Sequence, residues 1–239
     1  MEIIPAIMPR SFTELREYIE QIRGLVNIIQ LDVMDGVFVP EKSWPYTDGD
    51  YEGFLRLAAG DESLDAWAEM DFEVDLMVAN PETEIKNWFD AGARRVIAHI
   101  ESTDALPQIL SMAKDNIHAR HEEDSFYAPR EIGIAIDIET PNESLDPWMR
   151  DAHFVQFMGI AKIGYQGQPF DERVIQKVKE FREKYPDVTI SVDGGVSLET
   201  APRLIEAGAN RLVAGSAIWK SEDIEETIEQ FRKLEPISK

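Results

Sequence analysis

The sequence contains no cysteine among its 239 residues, and it has few cationic side chains for its length. The lack of cysteine excludes disulfide bonds, thiolate nucleophiles and cysteine-ligated metal centres. Lysine and arginine number 24 against 46 aspartates and glutamates, which gives a formal net charge of −22. A surface this acidic repels nucleic acids and anionic membranes, so we expect neither as a partner.

Long hydrophobic runs are also missing. No run approaches the roughly 20 apolar residues that a membrane-spanning helix needs. Residues 1–11 lack the basic stretch and following apolar segment of a secretory signal, so the sequence predicts a cytoplasmic protein. Its length and its 44% hydrophobic residues suffice for one large core, and we expect a single domain over residues 1–239.

Eight short apolar segments recur along the chain, and most are followed by a stretch with helical periodicity. The apolar segments are 3–8, 28–34, 72–78, 96–101, 132–138, 154–160, 189–193 and 212–217. The predicted helices include 12–23, 82–91, 171–184, 198–207 and 222–234. Alternation of strands and helices predicts a parallel sheet, and eight such units predict its closure into a (β/α)8 barrel, the TIM barrel fold.

Residue parity sorts the polar side chains of these strands, because neighbours on a strand point to opposite faces. Gln30 and Asp32 share one face of the second segment. Asp75 and Asp193 take similar positions on the third and seventh segments. We expect all of them to point into the barrel near its carboxyl end. Three carboxylates there indicate a divalent cation, acid–base chemistry, or both, whereas any one of them alone is better explained by ion pairing or solvation.

Glycine-bearing turns follow the last three strands, where barrels of this class commonly bind phosphate. Glycine lets backbone amides approach phosphate oxygens closely. The residues predicted to form this phosphate site are Gly164, Tyr165, Gln166, Gly167, Gly194, Gly195, Gly215 and Ser216.

Two predicted connections are long, at residues 41–71 and 114–130. Each suits a lid over the barrel mouth. A surface insertion or an oligomer contact explains the first segment as well as a lid does, and it explains the second better than a lid does. The sequence leaves these alternatives open.

Taken together and in order, these motifs resemble the ribulose-phosphate 3-epimerase family over nearly the whole chain. They are LDVMDGVFVP (31–40), DLMVANPE (75–82), HIE (99–101), TP (140–141), GYQGQPF (164–170), SVDGGV (191–196) and AGSAIW (214–219). The resemblance implies a barrel of the ribulose-phosphate-binding type and a phosphorylated sugar as substrate.

The resemblance also implies roles for individual residues. In the family two aspartates form an acid–base pair and hold a divalent metal together with two histidines. Asp32 and Asp193 match those aspartates, whereas Gln30 and Asp75 stand at the histidine positions. One aspartate would take the proton next to the carbonyl of a ketose phosphate, and the other would return a proton on the opposite face. By this resemblance Ala6, Met34, Met77 and Met158 are expected to line the pocket. Lys162, which departs from the family's pattern, is expected there from its place after the sixth apolar segment.

The replaced histidines change the expected metal. Gln30, Asp32, Asp75 and Asp193 offer only oxygen ligands, which suit Mg²⁺ or Mn²⁺ rather than Zn²⁺. A site that binds no ion is the alternative. No organic cofactor is expected.

Two other functions stay open at this point. Lys162 follows the sixth segment, and a desolvated lysine there could form a Schiff base in an aldolase-like lyase. The chain could also bind a sugar phosphate without catalysis. A homo-oligomer is compatible with all three interpretations.

We predict that Gln30, Asp32, Asp75 and Asp193 hold no zinc, because the imidazole ligands that suit zinc are replaced. Elemental analysis of protein purified without chelator measures this. Stoichiometric zinc that disappears in Asp32→Asn would contradict the prediction.

Overall fold

Eight parallel strands close into a barrel in sequence order, with β8 paired to β1. This computed structural model describes residues 1–47, 49–61, 70–116, 130–165 and 167–234. The strands are β1 (Glu2–Ile7), β2 (Ile28–Met34), β3 (Asp71–Met77), β4 (Arg95–His99), β5 (Glu131–Ile136), β6 (Phe154–Met158), β7 (Thr189–Asp193) and β8 (Arg211–Ala214). The predicted (β/α)8 barrel is therefore confirmed.

The helices cover the outside of the barrel. Those described are α1 (Phe12–Ile22), α2 (Tyr51–Ala59), α3 (Ile85–Asp90), α4 (Leu106–Asn116), α5 (Arg173–Lys184), α6 (Ala201–Ala207), α7 (Ser216–Trp219) and α8 (Ile224–Arg232). Short 3-10 helices lie at Pro81–Thr83, Ile100–Ser102 and Asn142–Trp148. In the described part of the chain, none of the helices combines the length and the apolar character that crossing a bilayer requires.

Helix α1 illustrates how the outer layer forms. The Ser11 hydroxyl accepts a hydrogen bond from the Glu14 amide at 3.1 Å and so caps the first turn. Such a cap stabilises a helix by about 1 kcal/mol. Leu15, Ile19 and Ile22 recur at helical spacing and are buried in the main apolar core. This core lies between the helices and the outward faces of the strands.

The predicted eighth strand, residues 212–217, ends earlier than expected. Strand β8 stops at Ala214, and the apolar residues that follow belong to the short helix α7. The amides of Ile218 and Trp219 donate to the Gly215 carbonyl, which turns the chain out of the sheet. Apolar content alone does not distinguish a short strand from a helical turn, so periodicity missed this change.

Arginine and glutamate side chains close the amino-terminal end of the barrel. Arg95 lies 3.0 Å from both Glu2 and Glu73, and Arg211 lies 3.2 Å from both Glu2 and Glu131. Burial raises the pKa of Glu73 to about 7, although Arg95 opposes that shift. The barrel floor is therefore a charged, paired layer, and the open end is the opposite one.

The first long connection, residues 41–71, is described except for residue 48 and residues 62–69. Trp44 from this segment is 1% exposed and packs against Phe12, Phe54 and Trp88 with ring centroids 5.6–5.8 Å apart. This part of the connection therefore belongs to the packed outer core. In the second long segment, residues 117–129 lie outside the described residues.

We predict that Gly133→Ala destabilises the barrel by about 1–3 kcal/mol, the usual cost of overpacking. A Cβ atom at Gly133 of β5 would lie 2.4 Å from the ring of Phe154 inside the barrel. Urea denaturation gives the free energy of unfolding.

The matched control is Gly53→Ala in α2, where the nearest atom to the new Cβ lies 3.7 Å away. This change should raise the free energy of unfolding by about 0.5–1 kcal/mol, since alanine is more favourable than glycine in a helix interior. Wild-type stability of Gly133→Ala would contradict the packing of the barrel interior.

Candidate functional site

Three aspartates from three strands meet inside the carboxyl end of the barrel. Asp32 is on β2, Asp75 is its partner in register on the neighbouring strand β3, and Asp193 is the last residue of β7. Each offers a carboxylate oxygen within 4.8 Å of the other two. All three residues are buried. The predicted convergence of these side chains is therefore present in the structure.

The amide of Gln30 bridges two of the three acids. Its Nε2 donates to Asp32 Oδ1 and to Asp193 Oδ2, both at 2.8 Å. Gln30 is fully buried, and its Oε1 has no hydrogen-bond partner among the described residues. A neutral amide thus holds two carboxylates together and keeps one oxygen unused.

Burial and mutual repulsion shift the acids toward their protonated forms. Burial, followed by the charges of Asp193 and Asp75, raises the pKa of Asp32 well above its usual value. Burial and the charge of Asp75 likewise raise the pKa of Asp193, to about 7, while the Gln30 hydrogen bond opposes the shift. Near neutral pH the pair is therefore suited to retain one proton between its two carboxyl groups.

Asp75 has a different environment. His99 Nε2 lies 3.0 Å from Asp75 Oδ1, and Gln156 Nε2 donates to Asp75 Oδ2 at 3.1 Å. The Ser191 hydroxyl donates to Gln156 Oε1 at 3.2 Å and holds that amide in place. Although burial disfavours its charged form, the carboxylates of Asp75 and Asp137 raise the pKa of His99 well above its usual value.

Sequence reasoning missed His99 and Gln156 as parts of the site. The parity rule that found the aspartates would have found them too, since Arg95, Ile97 and His99 share the inward face of β4. Gln156 shares its face with Met158 on β6. These signals were available in the sequence, although neither side chain carries the acidic charge that singled out the aspartates.

The three-aspartate cluster and Gln30 have side chains that fit a hard metal ion. Three carboxylates within 4.8 Å of one another form an oxygen-rich group, and Gln30 contributes a buried amide oxygen without a partner. Rotation of the Gln30 amide by half a turn would place Oε1 where Nε2 now lies, 2.8 Å from the same oxygens of Asp32 and Asp193. The residues present could therefore hold a metal ion through oxygen ligands alone.

A cavity beside the acids joins them to the glycine turns. Of the residues predicted for the pocket wall and the acid–base pair, Ala6, Met77, Met158, Asp32 and Asp193 line this cavity. Of those predicted for phosphate, Gly164, Tyr165, Gly167, Gly194, Gly195, Gly215 and Ser216 line it. Met8, Ile160 and Val213 also line it and were not singled out from the sequence. Acids and glycine turns therefore share one cavity.

The remaining predicted residues lie elsewhere. Met34 packs against Val39 and Met77 in an apolar cluster and is not among the described residues that line the cavity. Lys162 is exposed and also does not line it, because it lies four positions beyond the end of β6, where strand parity no longer applies. Both are corrections to the expected pocket wall. Gln166 lies outside the described residues.

Asp35 organises the loops at the barrel mouth. Its Oδ1 accepts from the amides of Val37 and Phe38 at 2.8 and 3.1 Å, and its Oδ2 accepts from the Ala79 amide at 2.8 Å. The carboxylate thereby joins the loop after β2 to the loop after β3. This gives the second aspartate of the motif LDVMDG a role in positioning the rim.

Comparison with known proteins agrees with this architecture and with the motifs. The model of the ribulose-phosphate 3 epimerase family matches residues 2–219. The chain is 29% identical to the ribulose-phosphate 3-epimerase of Bacillus subtilis, over 97% of this chain and 98% of the relative. It is 30% identical to the enzyme of the same name from Schizosaccharomyces pombe, over 97% of this chain and 92% of the relative.

Among solved structures, KGPDC from Streptococcus mutans in complex with D-R5P superposes with a TM-score of 0.67 at 16% identity, covering 96% of this chain and 94% of that one. This likeness shows the fold alone. The resemblance that the motifs indicated is confirmed by the family match, and the chain belongs to the ribulose-phosphate 3-epimerase family.

Proposed function

We propose that this chain epimerises a ketose phosphate of the ribulose-phosphate kind at the carbon next to its carbonyl group. One observation supports this above all. The carboxyl groups of Asp32 and Asp193 come from β2 and β7, are bridged by one amide, and line the same cavity as the glycine turns.

The two carboxyl groups suit a proton transfer on both faces of one carbon. The ionised group removes the proton next to the carbonyl, and the electron pair moves onto the carbonyl oxygen to give an enediolate. The protonated group then delivers a proton to the opposite face of that carbon. Raised pKa values for both Asp32 and Asp193 allow one group to be ionised while the other holds the proton.

We assign the phosphate to the turns at Gly164, Gly167, Gly194, Gly195 and Ser216. The glycines at 164, 167, 194 and 195 have φ between +68° and +95°, a region that other residues rarely adopt. Contacts far from the reacting carbon supply binding energy and hold the substrate in position.

We assign a metal ion, Mg²⁺ or Mn²⁺, to Gln30 Oε1 and the carboxylates of Asp32, Asp75 and Asp193. The all-oxygen set and the unpartnered Gln30 oxygen favour such an ion. When bound, the ion supplies Lewis-acid stabilisation of negative charge on the substrate oxygen. The proton transfers themselves belong to Asp32 and Asp193.

The other functions considered are not favoured. A lyase that uses Lys162 needs its amine desolvated in the pocket, whereas Lys162 is exposed and apart from the cavity. A binding protein without catalysis has less support, since the relatives over nearly the full length are named as epimerases. A cytoplasmic location and a homo-oligomeric state stay predictions from the sequence.

We predict that Asp32→Asn and Asp193→Asn each reduce proton exchange by about 100- to 10,000-fold, the usual contribution of a general acid or base. Proton–deuterium exchange of ribulose 5-phosphate, followed by NMR in the presence of Mg²⁺ or Mn²⁺, measures this. Affinity for the phosphate end should change little.

The matched control is Asp187→Asn. Asp187 is exposed and precedes β7, at the opposite end of the barrel from Asp193. The Asp187→Asn variant should exchange the proton of ribulose 5-phosphate at the wild-type rate. Retained exchange in both site variants would defeat the two-carboxylate mechanism, and C–C cleavage by the wild type would favour a lyase instead.

We predict that Ser216→Asp weakens binding of ribulose 5-phosphate at least tenfold, because it puts a negative charge at the wall of the phosphate cavity without straining a glycine. Isothermal titration calorimetry measures the affinity.

Ser111→Asp adds the same charge on the exposed side of α4 and should bind like the wild type. Equal affinity of Ser216→Asp and Ser111→Asp, both with wild-type melting temperatures, would place the phosphate elsewhere.

A further inference from the structure

A second group of ligand-type side chains lies at the ends of β4 and β5, apart from the cavity. We call it the β4–β5 cluster, and it consists of His99, Glu101 and Asp137. The three offer ligand atoms within 4.8 Å of one another. Among the described residues that line the cavity, none belongs to this cluster.

His99 supplies the observation that points to a ligand. Its side chain is 0% exposed, and its Nδ1 has no hydrogen-bond partner among the described residues. Nδ1 faces Asp137 Oδ1 at 3.7 Å and Glu101 Oε2 at 3.9 Å, both beyond hydrogen-bond length. Asp137 Oδ1 is also buried without a partner. Buried polar atoms left unpaired in this way are unfavourable, so an occupant of the gap would stabilise them.

The opposite side of the imidazole is already fixed. His99 Nε2 lies 3.0 Å from Asp75 Oδ1 and donates its proton to that carboxylate, while Nδ1 faces the gap. The raised pKa of His99 favours a second proton on Nδ1, and a bound ion would displace that proton. A carboxylate that orients a histidine through its far nitrogen is the usual support of a metal-binding imidazole.

The two carboxylates are also positioned and accessible. The Asp137 amide donates to Glu101 Oε1 at 2.9 Å, which leaves Glu101 Oε2 toward His99. The Glu101 and Asp137 side chains are 21% and 31% exposed, so the cluster borders solvent. The nearby ammonium of Lys177 donates to the backbone carbonyls of Asp137 and Ile138.

The spacing is close to that of a bound ion. Bonds of about 2.1 Å to nitrogen and oxygen put two ligand atoms of a tetrahedral site about 3.4 Å apart. The observed separations of 3.7 and 3.9 Å therefore need a contraction of only a few tenths of an ångström.

We propose that His99 Nδ1, Glu101 and Asp137 bind a divalent cation of borderline softness, Zn²⁺ or Co²⁺, at a second site separate from the three-aspartate cluster. One imidazole and two carboxylates form a mixed nitrogen and oxygen set that such ions accept. The ion takes the place of any proton on Nδ1. Through the His99 ring it also holds Asp75 in position. The site stands on its own contacts and does not depend on the proposed function.

Cobalt binding to the full chain tests the site, because the visible absorption of Co²⁺ reports its coordination. The titration uses Asp32→Asn, in which the three-aspartate cluster is weakened. We expect one Co²⁺ per chain, competed by Zn²⁺, with X-ray absorption at the zinc edge showing one imidazole nitrogen among oxygen ligands.

Adding Asp137→Asn or Glu101→Gln to Asp32→Asn should weaken Co²⁺ binding at least tenfold. Glu139→Gln is the matched control, since Glu139 is a nearby acid whose side chain is 73% exposed and pairs with Arg173. It should leave the affinity unchanged. Melting temperatures without metal identify any variant that fails to fold. If Asp137→Asn or Glu101→Gln fails to fold, the other of the two tests the site.

Two results would overturn the proposal. One is no saturable cobalt binding in Asp32→Asn. The other is binding that Asp137→Asn and Glu101→Gln leave intact, or that shows no imidazole ligand. Neither result bears on the epimerase, whose test is proton exchange with Mg²⁺ or Mn²⁺.

Discussion

The carboxylates of Asp32, Asp75 and Asp193 lie within 4.8 Å of one another inside the barrel. The neighbouring side chains of the site compensate the electrostatic repulsion between them. Isolated buried charges are strongly unfavourable unless they are paired, protonated or bound to a cation. This chain offers two kinds of compensation. The Gln30 amide donates to two of the acids, and raised pKa values let the pair of Asp32 and Asp193 retain a proton.

Amide side chains also connect the acids at the two positions where the resemblance to the family implies histidine. Gln30 offers two N–H groups from one nitrogen and bridges Asp32 and Asp193 directly. At the other position Asp75 adds a charge, which Gln156 and His99 compensate from β6 and β4. The imidazole missing from β3 thus has a counterpart on β4, one strand further along. The two positions therefore lie in two separate hydrogen-bonded groups, one around Gln30 and one around Asp75.

Buried acidic side chains have different partners at the two ends of the barrel. At the amino-terminal end Arg95 and Arg211 pair with three glutamates, so each of these three carboxylates has a cationic partner. At the carboxyl end Asp32, Asp75 and Asp193 have neutral donors and one histidine as their partners among the described residues. The ion-paired layer at the amino-terminal end supports the fold. An acid group without arginine or lysine partners keeps its carboxylates available to protons and cations.

The sequence alone determined the barrel, the inward direction of the aspartates and the glycine turns, because strand parity and strand–helix alternation are local properties. It did not determine that α7 replaces the end of the eighth apolar segment, or that Lys162 lies outside the pocket, since both depend on how the chain turns after a strand. Only the tertiary structure decided that His99 supports Asp75 and faces Asp137. Such contacts join strands distant in sequence, and barrel closure with its register sets which inward side chains meet.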